Sequence, residues 1–310
     1  MINLILEKYN IKAESILKIT SKVYRIYSSS GQYIFKYHPS SSLEVVFSRL
    51  SMLNLDIYLI PIRSIRGKYI ENKDNYYFSL TPYIEDEEHL NKDIRLHFYI
   101  KALGYLHHNS LYEVKVSDGF FEESLNYLEN LILETKTTLT SRMERIEKEP
   151  YHKPSDWYFI NVYDHLLKAT LEASRRLDIL EDMWKKAGTL RLSLTYQNFS
   201  YDHIIVKYGK IVSLDKMAIA PSIYDLKSLF EEAYKTKIDI SSLFKEYLAI
   251  HPLENYEKEW LLIFLFIPDI KFYNDDIKDL ESLFNAISYL SVVEEFAIKL
   301  NKMTQNQENN

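Results

Sequence analysis

The stretch Thr195-Tyr196-Gln197-Asn198-Phe199-Ser200-Tyr201-Asp202-His203-Ile204-Ile205-Val206, continued by Gly209-Lys210-Ile211-Val212-Ser213-Leu214-Asp215 and Ile223-Tyr224-Asp225-Leu226, decides how this chain is read. Ile204-Ile205-Val206 and Lys210-Ile211-Val212 are short β-rich runs, and Tyr208-Gly209 between them supplies a turn, so the segment predicts a hairpin. A hairpin that folds back suitably brings Asp202, His203 and Asp215 together as candidates for a small metal cluster.

On both sides of this hairpin the period is helical. Leu96, Tyr99, Ile100, Leu103 and Leu106 form one apolar stripe that ends at His107-His108-Asn109, and helical segments continue to about Lys186. The two imidazoles are read as helix-end groups that satisfy terminal carbonyls and favour the dipole. From about Ser222 to Asn301 the pattern is helical again, with Trp260 to Ile267 as a buried run. The first third is different. Ile16 to Tyr27 and Gln32 to Tyr37 are β-rich runs joined by Ser28-Ser29-Ser30-Gly31, and alternation places Lys36 on the same face as Ile34. Ser40-Ser41-Ser42 caps a helix with apolar positions Leu43, Val46, Phe47, Leu50 and Leu53 and with Glu44 in its first turn. Further strands are expected near Leu59 to Ser64 and Tyr76 to Pro82. The predicted organisation is a β-rich lobe over 1–84, an acidic connector over 85–92, a helical lobe over 93–303 that contains the hairpin 194–215, and a frayed tail over 304–310.

Composition removes several classes of function. The 310 residues suffice for two compact bodies, and the net charge of −6 gives no general electrostatic reason to bind nucleic acid or an anionic membrane. The chain has no cysteine, which excludes disulfides, thiol nucleophiles and Cys-ligated zinc and suits a reducing interior. No apolar run approaches the roughly 20 residues of a membrane span, and the start, Met1 to Lys8, meets Glu7 without a basic region ahead of its apolar residues, unlike a secretory signal. The 6 glycines are scattered, so neither a Walker loop nor a dinucleotide-binding turn is available, and no Gly-x-Ser-x-Gly elbow occurs. The 26 tyrosines read as half-buried substitutes for Phe and Leu or as interface residues, with Tyr151, Tyr158 and Tyr163 near Trp157 the candidates for the second role.

With its flanking elements, the segment Thr195 to Leu226 resembles the catalytic and metal loops of the aminoglycoside phosphotransferase and choline kinase-like superfamily, and within it looks most like the CotS/YsxE-like proteins associated with bacterial spore coats. The resemblance implies an α+β, bilobal protein kinase-like fold with a small β-rich lobe carrying one helix and a large, mostly helical lobe. The family pattern is His-Gly-Asp, four residues, Asn, then a hairpin ending in Ile-Asp. In this register Tyr196 stands for the His, Asn198 for the catalytic Asp and His203 for the metal-binding Asn. Neutral Asn198 cannot take a proton, and His203 offers nitrogen where magnesium wants oxygen. The second metal position is open between two registers: the gap-free one, twelve residues before Asp225, puts Ser213 there and makes Asp215 the later acid, whereas local similarity puts Asp215 there. Lys36 and Glu44 match the strand lysine and helix glutamate that pair around nucleotide phosphates in active members. Read by themselves, they are equally a solvated strand cation and a first-turn acid favoured by the dipole.

The resulting expectation is a kinase-fold pseudoenzyme that binds protein partners in a spore coat or related assembly, in the cytoplasm (including the mother cell's) or the coat itself. A nucleotide, ATP with Mg2+ or Mn2+, is the ligand the resemblance implies for a working cleft. The competing expectation is an active small-molecule phosphotransferase in which Asp202 or Asp215 replaces the missing base.

Overall fold

The computed structural model describes residues 2–85, 91–273 and 275–308. In chain order these form α1 (Ile2–Leu6), β1 (Ala13–Lys18), β2 (Val23–Ser28), β3 (Gly31–His38), α2 (Leu43–Met52), β4 (Glu71–Lys73), β5 (Tyr76–Pro82), α3 (Lys92–Ser110) and β6 (Tyr112–Lys115). They continue with α4 (Asp118–Lys148), α5 (Pro154–Ala187), β7 (Thr189–Thr195), β8 (Ile204–Ile205), β9 (Lys210–Ile211), β10 (Ala218–Ala220), α6 (Ile223–Thr236), α7 (Ile240–Ile250), α8 (Asn255–Leu265) and α9 (Asp276–Glu308). The chain divides into two compact units, one of residues 1–112 with 192–225 and the other of 113–191 with 226–310. This division cuts the chain differently from the expected lobes, because residues 93–112 and the hairpin segment fold with the N-terminal sheet. Most of the acidic connector, Asp86 to Leu90, lies outside the described residues. The last helix runs on to Glu308, past the expected end at 303.

In the first unit an antiparallel sheet has the order β1-β2-β3-β5-β4. The run Ile16 to Tyr27, read as one β segment, is two strands: the backbone turns at residues 19–22, where the N–H groups of Ile19 and Thr20 both donate to the carbonyl of Val23. The β2–β3 turn falls at the expected place, with Gly31 at φ 130, a conformation L side chains rarely adopt. Residues 59–64 form no strand; they are extended chain tied by single bonds such as Ile62 N–H to the Leu80 carbonyl. One face of the sheet is apolar. Ile26, Phe35, Phe78 and Leu80 are fully buried against Ile5 and Leu6 of α1, with Phe35 stacked on Phe78 at 5.6 Å. Alternation therefore turns Ile34, Lys36 and His38 of β3 and Ser79 and Thr81 of β5 to the opposite face.

α2 begins where expected and buries Leu43, Val46, Phe47 and Leu50, but no serine side chain caps it: the Ser40 and Ser42 hydroxyls bond each other at 2.8 Å. α3 carries the predicted stripe and buries it completely at Leu96, Ile100, Leu103 and Leu106.

The second unit is helical. α5 starts at Pro154, whose missing N–H costs nothing at the first helical position, and ends at Gly188 in the left-handed region. It packs on α4, α8 and α9. Its Trp184 meets Trp260 of the predicted buried run at 4.8 Å. Near its start, buried Asp156 pairs with Arg142 at 2.5 Å, while the Arg142 guanidinium lies over the Phe272 ring. Of the tyrosines singled out as interface candidates, Tyr151 is exposed and Tyr158 packs its ring on Phe284 at 4.2 Å. No helix among the described residues is long and apolar enough to cross a membrane.

Candidate functional site

The polar face of the N-terminal sheet and the hairpin β8–β9 together wall a cavity of about 250 Å³, all of it within the first unit. Strand register grades its character. Lys36 lies opposite Ser79, one rank along Ile34 lies opposite Thr81, and beyond them come Pro82, Tyr83 and Ile84. The hairpin contributes Ile205 and Val212 at the apolar end, and His203, Ser213 and Asp215 join Lys36, His38 and Ser79 among its polar groups.

Lys36 is the residue around which the predicted site gathers. Its Nζ donates to Asp215 Oδ1 at 2.7 Å and to Ser213 Oγ at 3.1 Å. Burial raises the Asp215 pKa, but the adjacent Lys36 ammonium and its hydrogen bond outweigh this and hold the carboxyl below the ordinary aspartate value. Both residues proposed for the second metal position therefore touch the same lysine. Ser213 has φ 60, a left-handed conformation that is costly for a residue with a Cβ, and its carbonyl accepts a 2.8 Å bond from the Asn198 side-chain amide. Asn198 thus presents a tied-down donor and no carboxylate.

His203 is oriented by its own loop. Its Nδ1 is 2.8 Å from the Asn198 carbonyl and 3.1 Å from the Tyr196 hydroxyl, which itself donates to the Val212 carbonyl at 2.7 Å. A carbonyl can only accept, so Nδ1 carries the proton and Nε2 holds the lone pair of the neutral ring. Burial keeps this ring below the ordinary imidazole pKa. His38, bonded through Nε2 to Ser79 Oγ at 2.8 Å, is pushed down to about 4, chiefly by burial.

Two expected groupings are not formed. Glu44 does not pair with Lys36: its carboxylate accepts the backbone N–H groups of Tyr69 at 3.3 Å and Ile70 at 2.6 Å. A first-turn glutamate whose two oxygens fill backbone donors of a neighbouring segment has a structural task. Asp202, His203 and Asp215 do not make a metal cluster either; among the described residues no group of three His, Asp or Glu side chains is arranged to hold a metal ion. Asp202 is an exposed contributor to the cavity wall, and Asp215 is committed to Lys36. Magnesium demands a near-octahedral oxygen shell anchored on carboxylates. A tied amide, an imidazole and a hydroxyl are poor anchors for it, and the two carboxylates on the wall are lysine-bound Asp215 and exposed Asp202, so the described donor set is a poor fit to magnesium.

The residue that organises the loop is one the sequence treated as a spacing mark. Asp225, buried at the start of α6, accepts the backbone N–H groups of Tyr196 and Gln197, each at 2.7 Å, and bonds His107 Nε2 at 3.1 Å. His107 is accordingly a buried partner of an aspartate and not a helix-end cap. Held between these bonds, Gln197 adopts φ 50, in the left-handed region.

Against solved structures, the chain is similar over almost its full length to small-molecule kinases. An aminoglycoside phosphotransferase from Alicyclobacillus acidocaldarius superposes with a TM-score of 0.71 at 11% identity, covering 97% of this chain and 95% of that one. The AMP-bound complex of a spectinomycin phosphotransferase superposes with a TM-score of 0.52 at 16% identity, covering 96% and 97%. No family model and no curated protein matches the sequence. These likenesses define the class by its fold: the chain has the α+β kinase-like fold of the aminoglycoside phosphotransferases, with an N-terminal β-sheet region and a larger helical C-terminal region.

Proposed function

We propose that this chain is a kinase-fold binding protein whose cavity receives a nucleotide-class ligand and transfers no phosphate. One observation supports the reading: the side-chain amide of Asn198, which the sequence register sets against the family's acceptor-activating carboxylate, is held as a donor to the Ser213 carbonyl. General base catalysis at that point contributes about 10²- to 10⁴-fold, and the poor fit of the described donor set to magnesium adds to the loss. Lys36 on the cavity wall and the graded lining support retention of a ligand, and the similar spectinomycin enzyme holds AMP. The resemblance to spore-coat-associated proteins supports a role through a protein partner in an assembly of that kind.

The test is turnover of labelled ATP with Mg2+ or Mn2+ in the presence of aminoglycoside, choline and other hydroxyl acceptors, run beside Lys36→Ala and Asp202→Asn. The expected result is the same background from all three proteins. Transfer that either substitution abolishes would overturn the proposal and establish a rewired phosphotransferase.

A further inference from the structure

The charge, donor and size pattern of the cavity goes beyond this reading and identifies its occupant. We infer that the cavity binds an uncharged nucleoside without a divalent metal, in preference to a nucleotide with one; the inference rests on the nucleotide-class reading above.

Charge is the first argument. Among the described lining residues Lys36 is the single lysine or arginine, and Asp215 at 2.7 Å already balances it. Asp202 lines the same space, which leaves one formal negative charge in excess. Neither imidazole offsets it near neutral pH, since burial holds both His38 and His203 in their neutral forms. A triphosphate entering here meets two carboxylates, and among the described residues no group of three His, Asp or Glu side chains is arranged to hold a metal between them. An uncharged ligand leaves the Lys36–Asp215 pair intact.

The second argument is the kind of hydrogen bonding on offer. The Asn198 carbonyl fixes the His203 proton on Nδ1, so Nε2 is an acceptor, and Ser213 supplies a hydroxyl that already accepts from Lys36. The Nε2 lone pair suits a hydroxyl donor of a sugar and opposes a bare phosphate oxygen, while the Ser213 hydroxyl can serve either. At the other end, Ile34 and Thr81 of the sheet and Ile205 and Val212 of the hairpin give two aliphatic walls for a heteroaromatic base. Size agrees, because about 250 Å³ lies just under the roughly 300 to 1,000 Å³ of ordinary ligand pockets.

Calorimetric titration of the full chain with adenosine, AMP and ATP, each in EDTA and in Mg2+, tests this. The expected result is adenosine binding whose Kd is unchanged by magnesium, with ATP weaker by at least about tenfold in either condition. Asp215→Asn should then tighten AMP by about tenfold relative to adenosine, because the freed Lys36 has a phosphate to meet. Should that variant lose its fold by circular dichroism, exposed Asp202→Asn shifts the AMP-to-adenosine ratio in the same direction by a smaller factor. Magnesium-dependent ATP binding tighter than adenosine, or no adenosine binding in any condition, overturns the inference. Phosphate transfer from ATP would instead overturn the non-transferring reading and leave the adenosine preference to stand or fall by these titrations.

Discussion

His107 Nε2 and Asp225 Oδ2 lie 3.1 Å apart with both side chains buried, joining α3 to the start of α6 across 118 positions of sequence. The same carboxylate accepts the Tyr196 and Gln197 N–H groups, so one residue fixes the loop that presents Asn198 and His203. Removing it takes the acceptor from two backbone donors and one buried contact from the His107 ring. Asp225→Ala should cost about 3 kcal/mol, because each buried backbone donor left without its acceptor costs about 1 to 3 kcal/mol. Urea denaturation checks this, and a loss below about 1 kcal/mol would mean that the loop is held by other contacts.

Glu44 should behave as a structural acceptor. Glu44→Ala is expected to destabilise the protein by about 1 to 3 kcal/mol, because the Tyr69 and Ile70 N–H groups lose their partners. Ligand affinity should stay within about twofold in the folded variant, as measured by the same titrations. The reverse pattern, unchanged stability with lost binding, would restore Glu44 to a phosphate-binding role.

Titration of His38 makes stability depend on pH. Its ring is pushed down from 6.5 to about 4 by burial and the nearby Lys36, against the opposing pull of Asp215. The unfolded chain therefore binds the proton first as pH falls. The stability owed to the neutral ring is present in full above about 6.5 and is lost progressively as pH falls through about 4, amounting to about 3 kcal/mol in all. His38→Gln should flatten the dependence of melting temperature on pH across that window. Parallel curves for the two proteins would contradict the assignment.

Backbone conformation at Gln197 gives a prediction of opposite signs for two substitutions. At φ 50 a β-branched side chain is strained, so Gln197→Ile should cost more than about 1 kcal/mol. Gln197→Gly relieves the strain and should be neutral or stabilising by up to about 1 kcal/mol, less what the lost 2.7 Å bond from the Gln197 side chain to Thr195 Oγ1 contributes. Comparing the two unfolding midpoints decides it; equal midpoints would contradict the prediction.

Hydrophobic period made the β-rich start, α2, the stripe of α3 and the helical remainder legible, and the resemblance of Thr195 to Leu226 directed attention to Lys36, Asn198, His203, Ser213 and Asp215. What the sequence missed is mostly long-range pairing. His107 sits seven residues after Ile100 and four after Leu103, so the helical period itself places it on the buried face, which should have directed attention to a buried partner. His38 follows Lys36 by two along a strand and had to share its face. The Glu44 acceptors are backbone groups of residues 69 and 70, which no side-chain pattern announces. The break inside Ile16 to Tyr27 occurs without a glycine, and β4 has three residues, too few for alternation to show.

The two compact units are each made of separated pieces of chain, and the polypeptide passes from one to the other at residues 112, 191 and 225. During synthesis, at about 5 to 20 residues per second, the N-terminal sheet and α3 emerge several seconds or more before Asp225 does. For that interval His107 has no acid to meet, and the loop 196–197, when it appears, has no anchor. A ribosome-bound fragment ending before residue 225 should consequently be protease-sensitive throughout its first 112 residues, and neither unit can be obtained by trimming one end of the gene.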